Sequence, residues 1–356
     1  MSQNWFTKFR KNKRGYYSFL LFISIFCLTL FAEIVANDKP IMLRFQGHFY
    51  FPIFSEIPET KFGGVFETEA DYRDVEVQKM ILGDKKDLLG QDSQSAKDNQ
   101  GAQINRGNFM IWPPLHFSYD TINYNLETAA PSKPTATNLL GTDDNGRDVL
   151  ARVIYGVRIS LIFGLVLTFF SAMTAIFLGA IQGYFAGLVD IFLQRFTEIW
   201  SAMPVLFLLI IMSSILAPSF FTLIGLLLIF SWMSLVVYVR AEFLRLKNFD
   251  FVMAAKALGA SDWRIITRHI LPNASAVIIS NLPFLLSGAI ITLTSLDFLG
   301  LGMPVGEPSL GELLAQGKNN INAWWLGVSG FVVVSLILTL LIFIGEAVRD
   351  GFDTRK

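Results

Sequence analysis

FVMAAKALGASDWRIITRHILP, residues Phe251–Pro272, is a charged stretch set between two long apolar runs, Phe220–Val239 and Ala274–Leu296. Ala254-Ala255 is followed by three residues and Gly259. Nine further residues lead to His269-Ile270-Leu271-Pro272. Asn248 or Asp250 is placed to cap a short helix over Phe251–Leu258, and Gly259 to end it in the left-handed conformation. Ser261 then caps a second helix, with Asp262 near its positive end, and Pro272 leads towards the next apolar run. Ala254, Ala255 and Gly259 are expected on one face, where small residues let a partner's backbone approach. An ordinary amphipathic interfacial helix would share the charge pattern but not this spacing.

The rest of the chain explains why such a segment lies between apolar runs. Its 356 residues are 53% hydrophobic and only 16% charged, with 33 Phe, against about 25% charged in soluble chains. Several runs reach the roughly 18–20 apolar residues that cross a bilayer core. The expected fold is an all-α polytopic membrane protein with six spans: Tyr16–Ala36, Ile159–Ile181, Ile199–Leu216, Phe220–Val239, Ala274–Leu296 and Trp325–Ile344. Pro204 and Pro283 should kink the third and fifth, and polar Asn281 is a candidate to face a pore. Asp190, Arg195 and Glu198 are expected at the membrane interface, because a charge at mid-bilayer costs about 2.5–3.5 kcal/mol.

Lys8, Arg10, Lys11, Lys13 and Arg14 precede the first span with no acid among them. Basic residues stay in the cytoplasm, so the N-terminus is expected inside and the first span is read as a retained anchor. Counting six spans, the loop 240–273 and the C-terminus then fall inside as well. That loop is itself rich in Lys and Arg, an independent agreement.

Residues 37–138 form an acidic, aromatic-rich insert on the outer side, expected to contain β-structure. Ile41–Phe45 and His48–Phe54 flank a Gln46-Gly47 turn. Phe109–Trp112 and His116–Asn125 flank Pro113-Pro114. Phe49, Tyr50, Phe51, Trp112 and Phe117 could build a small core or a docking patch, with most of them expected in the core. Gln91–Asn108 reads as a disordered loop.

Other chemistry finds little support. His48, His116 and His269 lack metal-ligand spacing, and the lone Cys27 reads as a small packing residue. GTDDNG within Leu140–Ser160 lacks the ligand spacing and terminal Glu of an EF-hand. Gly311–Asn319 misses the P-loop spacing. No contiguous basic face suggests nucleic acid, and no nucleophile-plus-base arrangement suggests an enzyme. Gly179, Gly183 and Gly187 favour close helix packing.

The Ala254–Pro272 layout resembles the EAA loop of ABC-importer permeases, E-A-A-x3-G-x9-I-x-L-P, with Met253 in place of the family's Glu and His269 in place of its Ile. Leu140–Ser160 (LGTDDNGRDVLARVIYGVRIS) resembles a segment of the dipeptide and oligopeptide branch, and Ser295–Gly311 its Gly-rich external-mouth segment. The insert sequences ANDKPIMLRFQGHFYFPIF, KFGG and EADYRD, with the later SLGELLAQGKNN, resemble Yej-type peptide importers, a type associated with peptides and microcin C.

The resemblance implies a permease core over 139–356, following a basic N-terminus and first span over 1–36. Ala254, Ala255, Gly259, Leu271 and Pro272 would couple it to a cytoplasmic ABC ATPase. Gly141, Thr142, Asp143, Gly146, Arg147 and Asp148 would form an external motif. It further implies a homologous second permease, a periplasmic peptide-binding protein and a bacterial inner-membrane location. ATP and Mg would sit on the partner ATPase and no cofactor on this chain. A nickel or oligosaccharide permease, and more remotely a secondary transporter, are the alternatives.

Overall fold

The structure, a computed structural model, describes residues 2–83, 107–126 and 128–352. The expected loop Gln91–Asn108 lies almost wholly outside them. The chain divides into two compact units, Met1–Cys27 with Gly156–Lys356, and Leu28–Tyr155.

The first unit is helical. Among the described residues four helices are long and apolar enough to cross a membrane: Val149–Phe185, Phe220–Leu246, Asp262–Phe298 and Trp324–Phe352. The pair Gly187–Ser201 and Val205–Ile215 makes a fifth candidate, bent by 69°. The expected third span, Ile199–Leu216, is therefore not one continuous helix. It breaks before Pro204, where a ring in place of an N–H ends the hydrogen-bond ladder. Pro283, expected to kink its span, lies inside the Leu271–Phe298 segment.

Lys13–Leu30 has 18 residues and two cations in its first turn, and is not among those candidates. Its Phe19, Leu20, Leu21, Ile23, Leu28 and Leu30 are nonetheless exposed. Cys27 is exposed too, so the packing role expected for it is not seen.

Close approach sets the packing in two places. A Cβ on Gly179 would lie 2.7 Å from Val239 Cβ, and one on Gly183 only 2.4 Å from Phe243 Cβ. Both contacts join the core formed by Ala175, Val236, Ile265 and Ile270. Gly187, the third member of the repeat, has open space around it and φ +54°; it turns the chain and packs against nothing.

The second unit holds a three-stranded antiparallel sheet in the order β2-β1-β3, with β1 Met42–Phe45, β2 His48–Tyr50 and β3 Phe109–Ile111. The Gln46-Gly47 hairpin forms with both turn residues at positive φ (50° and 85°), as a two-residue turn requires. In the core of this unit the Phe62 ring meets Phe45 and Tyr72 edge to face, packed among Leu43, Val77 and Ile81. Of the aromatics expected inside, Phe117 is buried and Tyr50 and Trp112 partly so, while Phe49 and Phe51 are exposed. Phe49 lies on the outer face, because β1 and β2 pair with Arg44 opposite it and Leu43 opposite Tyr50.

His116–Asn125 is not a strand and forms only an isolated bridge at Ile122. Its side chains bond the local backbone instead, Thr121 accepting from Ser118 N and Asn123 from Asn125 N, which competes with a ladder.

Candidate functional site

The loop that follows Leu246 begins with a helix over Asp250–Ala257. Neither expected side chain caps it: Phe249 occupies the N-cap, and Asn248 donates its amide back to Leu244 O at 3.3 Å. The other end forms as the glycine dictates. Gly259 has φ +77°, its N–H donates to Lys256 O at 3.0 Å, and Ala260 N donates to Ala255 O at 3.1 Å. These two bonds together are a Schellman closure. Ser261 takes the next N-cap position without a side-chain bond; its carbonyl accepts from Ile265 N at 3.0 Å.

Ala254 and Ala255 do not share a face. Ala255 is buried in the core beside Val252, whereas Ala254 is exposed with Met253. Large apolar side chains are left outside: Leu258 is 88% exposed, Trp263 65% and Met253 53%. Pro272 is exposed and Leu271 partly buried.

Pro272 does not separate a loop helix from a span. Asp262–Phe298 is one 37-residue helix, with a π-turn over Ile265–Ile270 that ends in Leu271 N donating to Ile266 O. The proline lacks a donor for the carbonyl four residues back and crowds it; a wider turn just before it removes that conflict. Asn273 Nδ2 supplies a bond to His269 O at 2.7 Å. Tyr184 OH donates to Asp262 Oδ1, joining the end of the Val149–Phe185 helix to the start of this one.

The motif Gly141–Asp148 lies in the second unit and is built as a lock. Asp143, fully buried, accepts Arg147 N and Asn145 N on Oδ1 at 2.8 and 2.9 Å, and Arg147 Nε on Oδ2 at 2.8 Å. Buried Arg152 brings its Nε to 3.5 Å from the same Oδ2. Thr142 Oγ1 accepts Ser132 N at 2.9 Å, and Gly141 and Gly146 turn the chain at φ 75° and 80°.

Asp148 caps the long helix, accepting Ala151 N at 2.8 Å and Asn138 Nδ2 at 2.8 Å. Burial pushes its carboxyl above the usual range, partly offset by those donors. Burial and then the Asp143 charge push Asp144 up as well. Asp143 is thereby committed to arginine and backbone donors. Asn123, Asn138 and Arg152 complete the lock and were not singled out from sequence; three scattered polar residues carry no periodic signal.

Asp297 was also missed. It accepts Met303 N at 2.8 Å and Ser309 Oγ at 2.6 Å, while Ser309 Oγ accepts Gly311 N and Glu312 N at 3.1 and 3.2 Å. One carboxylate thus folds the Gly-rich Ser295–Gly311 segment and fixes the cap of the next helix.

A cavity of ≈ 670 Å³ runs between the helices Val149–Phe185, Val205–Ile215, Phe220–Leu246 and Leu271–Phe298. Asn281 lines it, with its amide donating to Val277 O at 2.7 Å, as does Thr168, whose buried hydroxyl has no hydrogen-bond partner. Among the described residues no charged side chain lines this cavity.

Apolar helices long enough to cross a membrane surround this cavity, and one of them continues into the exposed loop. Residues 175–356 match the family described as binding-protein-dependent transport system inner membrane component. The chain is 49% identical to the peptidoglycan transport system permease protein YejE of Agrobacterium fabrum, over 98% of this chain and 91% of that protein. It is 48% identical to the inner membrane ABC transporter permease protein YejE of Escherichia coli, over 100% of this chain and 98% of that protein. The dipeptide transport system permease protein DppC of Haemophilus influenzae is 37% identical, over 61% and 74%. The chain belongs to this family of inner-membrane permeases and is a multi-pass membrane protein.

Proposed function

We propose that this chain is one half of the translocation pore of an ATP-driven peptide importer of the bacterial inner membrane. The observations that carry the reading are the similarity to YejE permeases along the whole chain, insert included, and the similarity to oligopeptide and dipeptide permeases over 67% and 61% of it. The exposed apolar loop supports coupling to a cytoplasmic ABC ATPase that binds ATP and Mg, with Ala254, Gly259 and Pro272 on the accessible side. Ala255 and Leu271 support the loop from beneath.

In this reading Lys13–Leu30 is the first of six spans. Both termini are cytoplasmic, and the sheet-containing insert faces the periplasm. A homologous permease completes the pore, and a periplasmic binding protein delivers oligopeptides; microcin C, a peptide-nucleotide, belongs to the same cargo class. ATP-driven closure of the ATPase displaces the loop and alternates access to the cavity.

The test is reconstitution with the partner permease, ATPase and binding protein in liposomes. ATP-dependent accumulation of a radiolabelled tetrapeptide is expected. Accumulation of nickel or an oligosaccharide in its place would move the chain to another branch, and uptake without the ATPase would make it a secondary transporter.

A further inference from the structure

A second concave site lies in the Leu28–Tyr155 unit. A cleft of ≈ 590 Å³ opens between residues 38–39, 69–74 and 120–125. Asp38, Glu69, Asp71, Asp74 and Asp120 line it, against Lys39 and Arg73. The five carboxylates outnumber the two cations. Lys39 Nζ is held by both oxygens of Glu69, at 2.6 and 2.8 Å, and Arg73 lies over the Phe117 ring at 4.8 Å. Asp71 and Asp74 accept one backbone N–H each, from Arg73 and Glu76. Those bonds orient the carboxylates without removing their charge, and both residues are exposed, as is Asp120.

Tyr72 supplies a separate indication. It lines the same cleft and is 1% exposed, and its hydroxyl has no hydrogen-bond partner. Burial, then the Glu69 charge, push its phenol far above the ordinary value, so the oxygen stays a neutral acceptor. A buried polar group left unpaired is unfavourable, and a bound donor removes that cost. The neighbouring carboxylates make that donor cationic. A bare metal ion fits poorly: among the described residues no three His, Cys, Asp or Glu converge as ligands.

We propose that this cleft binds an alkylammonium group, specifically the free amino terminus of a peptide, with Tyr72 Oη accepting one N–H and Asp71, Asp74 and Asp120 supplying the charge. The choice of a peptide as the source rests on the proposed function above; the ammonium chemistry rests on the cleft alone.

The experiment measures binding of tritiated trialanine amide and its N-acetyl form to the full chain in lipid nanodiscs. Acetylation is expected to weaken binding about tenfold, and raised salt should weaken the unacetylated form selectively. The double variant Asp71→Asn with Asp120→Asn should show about the same tenfold loss. Tyr72→Phe keeps the ring and should weaken binding without lowering the unfolding temperature. Equal binding of the acetylated form, or wild-type affinity in the carboxamide variant, overturns the proposal, as does capture of a basic protein but not the peptide. Uptake by the reconstituted wild-type transporter is measured alongside. Normal peptide uptake with no cleft binding rejects the cleft alone, whereas absent peptide uptake rejects the permease reading.

Discussion

Arg240 grips Asp190 with two parallel hydrogen bonds, Nε to Oδ1 at 2.5 Å and Nη2 to Oδ2 at 2.7 Å. The pair ties the Gly187–Ser201 helix to Met233–Leu246, the same helix that Gly183 of the preceding helix approaches closely. Interior charges are stable when paired in this planar geometry. Arg240→Ala is expected to lower stability by about 2 kcal/mol, between the cost at exposed and fully buried pairs. Exchanging the two residues should recover part of that loss. Thermal unfolding in detergent checks both.

Gly259 carries a positive φ and both bonds of the helix closure. Gly259→Val forces a branched residue into that conformation at about 1–3 kcal/mol and should distort the exposed loop while the spans still insert. Peptide uptake is expected to fall sharply with membrane abundance near wild type, and Gly259→Asn should retain most activity. Normal uptake and normal peptide-stimulated ATP hydrolysis in the valine variant would remove Gly259 from the coupling assignment.

Gly183 and Gly187 differ in what they tolerate. Gly183→Val drives a side chain into Phe243 and the Arg240 carbonyl, an overpacking cost of about 1–3 kcal/mol or more. Gly187→Ala meets open space and bears only a backbone penalty, of about 1–2 kcal/mol. Folded yield after detergent extraction should therefore rank wild type, Gly187→Ala, then Gly183→Val.

Single cysteines at exposed Ser55 and Ser261, in a Cys27→Ala background, test the orientation. An impermeant thiol reagent added to spheroplasts should label position 55 and spare position 261. Labelling of both from outside would break the six-span topology.

Features that depend on local chemistry were legible. Gly259 announced a helix end, Gln46-Gly47 a hairpin and Pro204 a break, because each acts through its own backbone. The facing of Ala254 and Ala255 was not legible. Which of two neighbours turns inward is decided by Val252 and the 265–270 turn docking into one core. Capping misled for a related reason: Asn248 had a carbonyl within reach on the preceding turn. The Asp143–Arg147–Arg152 cluster and the Asp297–Ser309 contact join residues whose partnership no period encodes.

The unbroken run from Asp262 to Phe298 makes the second helix of the exposed loop and a membrane-span candidate a single rod. At 37 residues and about 1.5 Å per residue it is about 55 Å long. A joint at Pro272 would let the loop yield while the span stood still. The π-turn keeps the rod continuous through the proline, so a tilt imposed at Trp263 swings the far end near Asp297 in the opposite sense. Under the proposed coupling, force applied at the loop would thereby act as torque on the Gly-rich segment at the far end of the same helix.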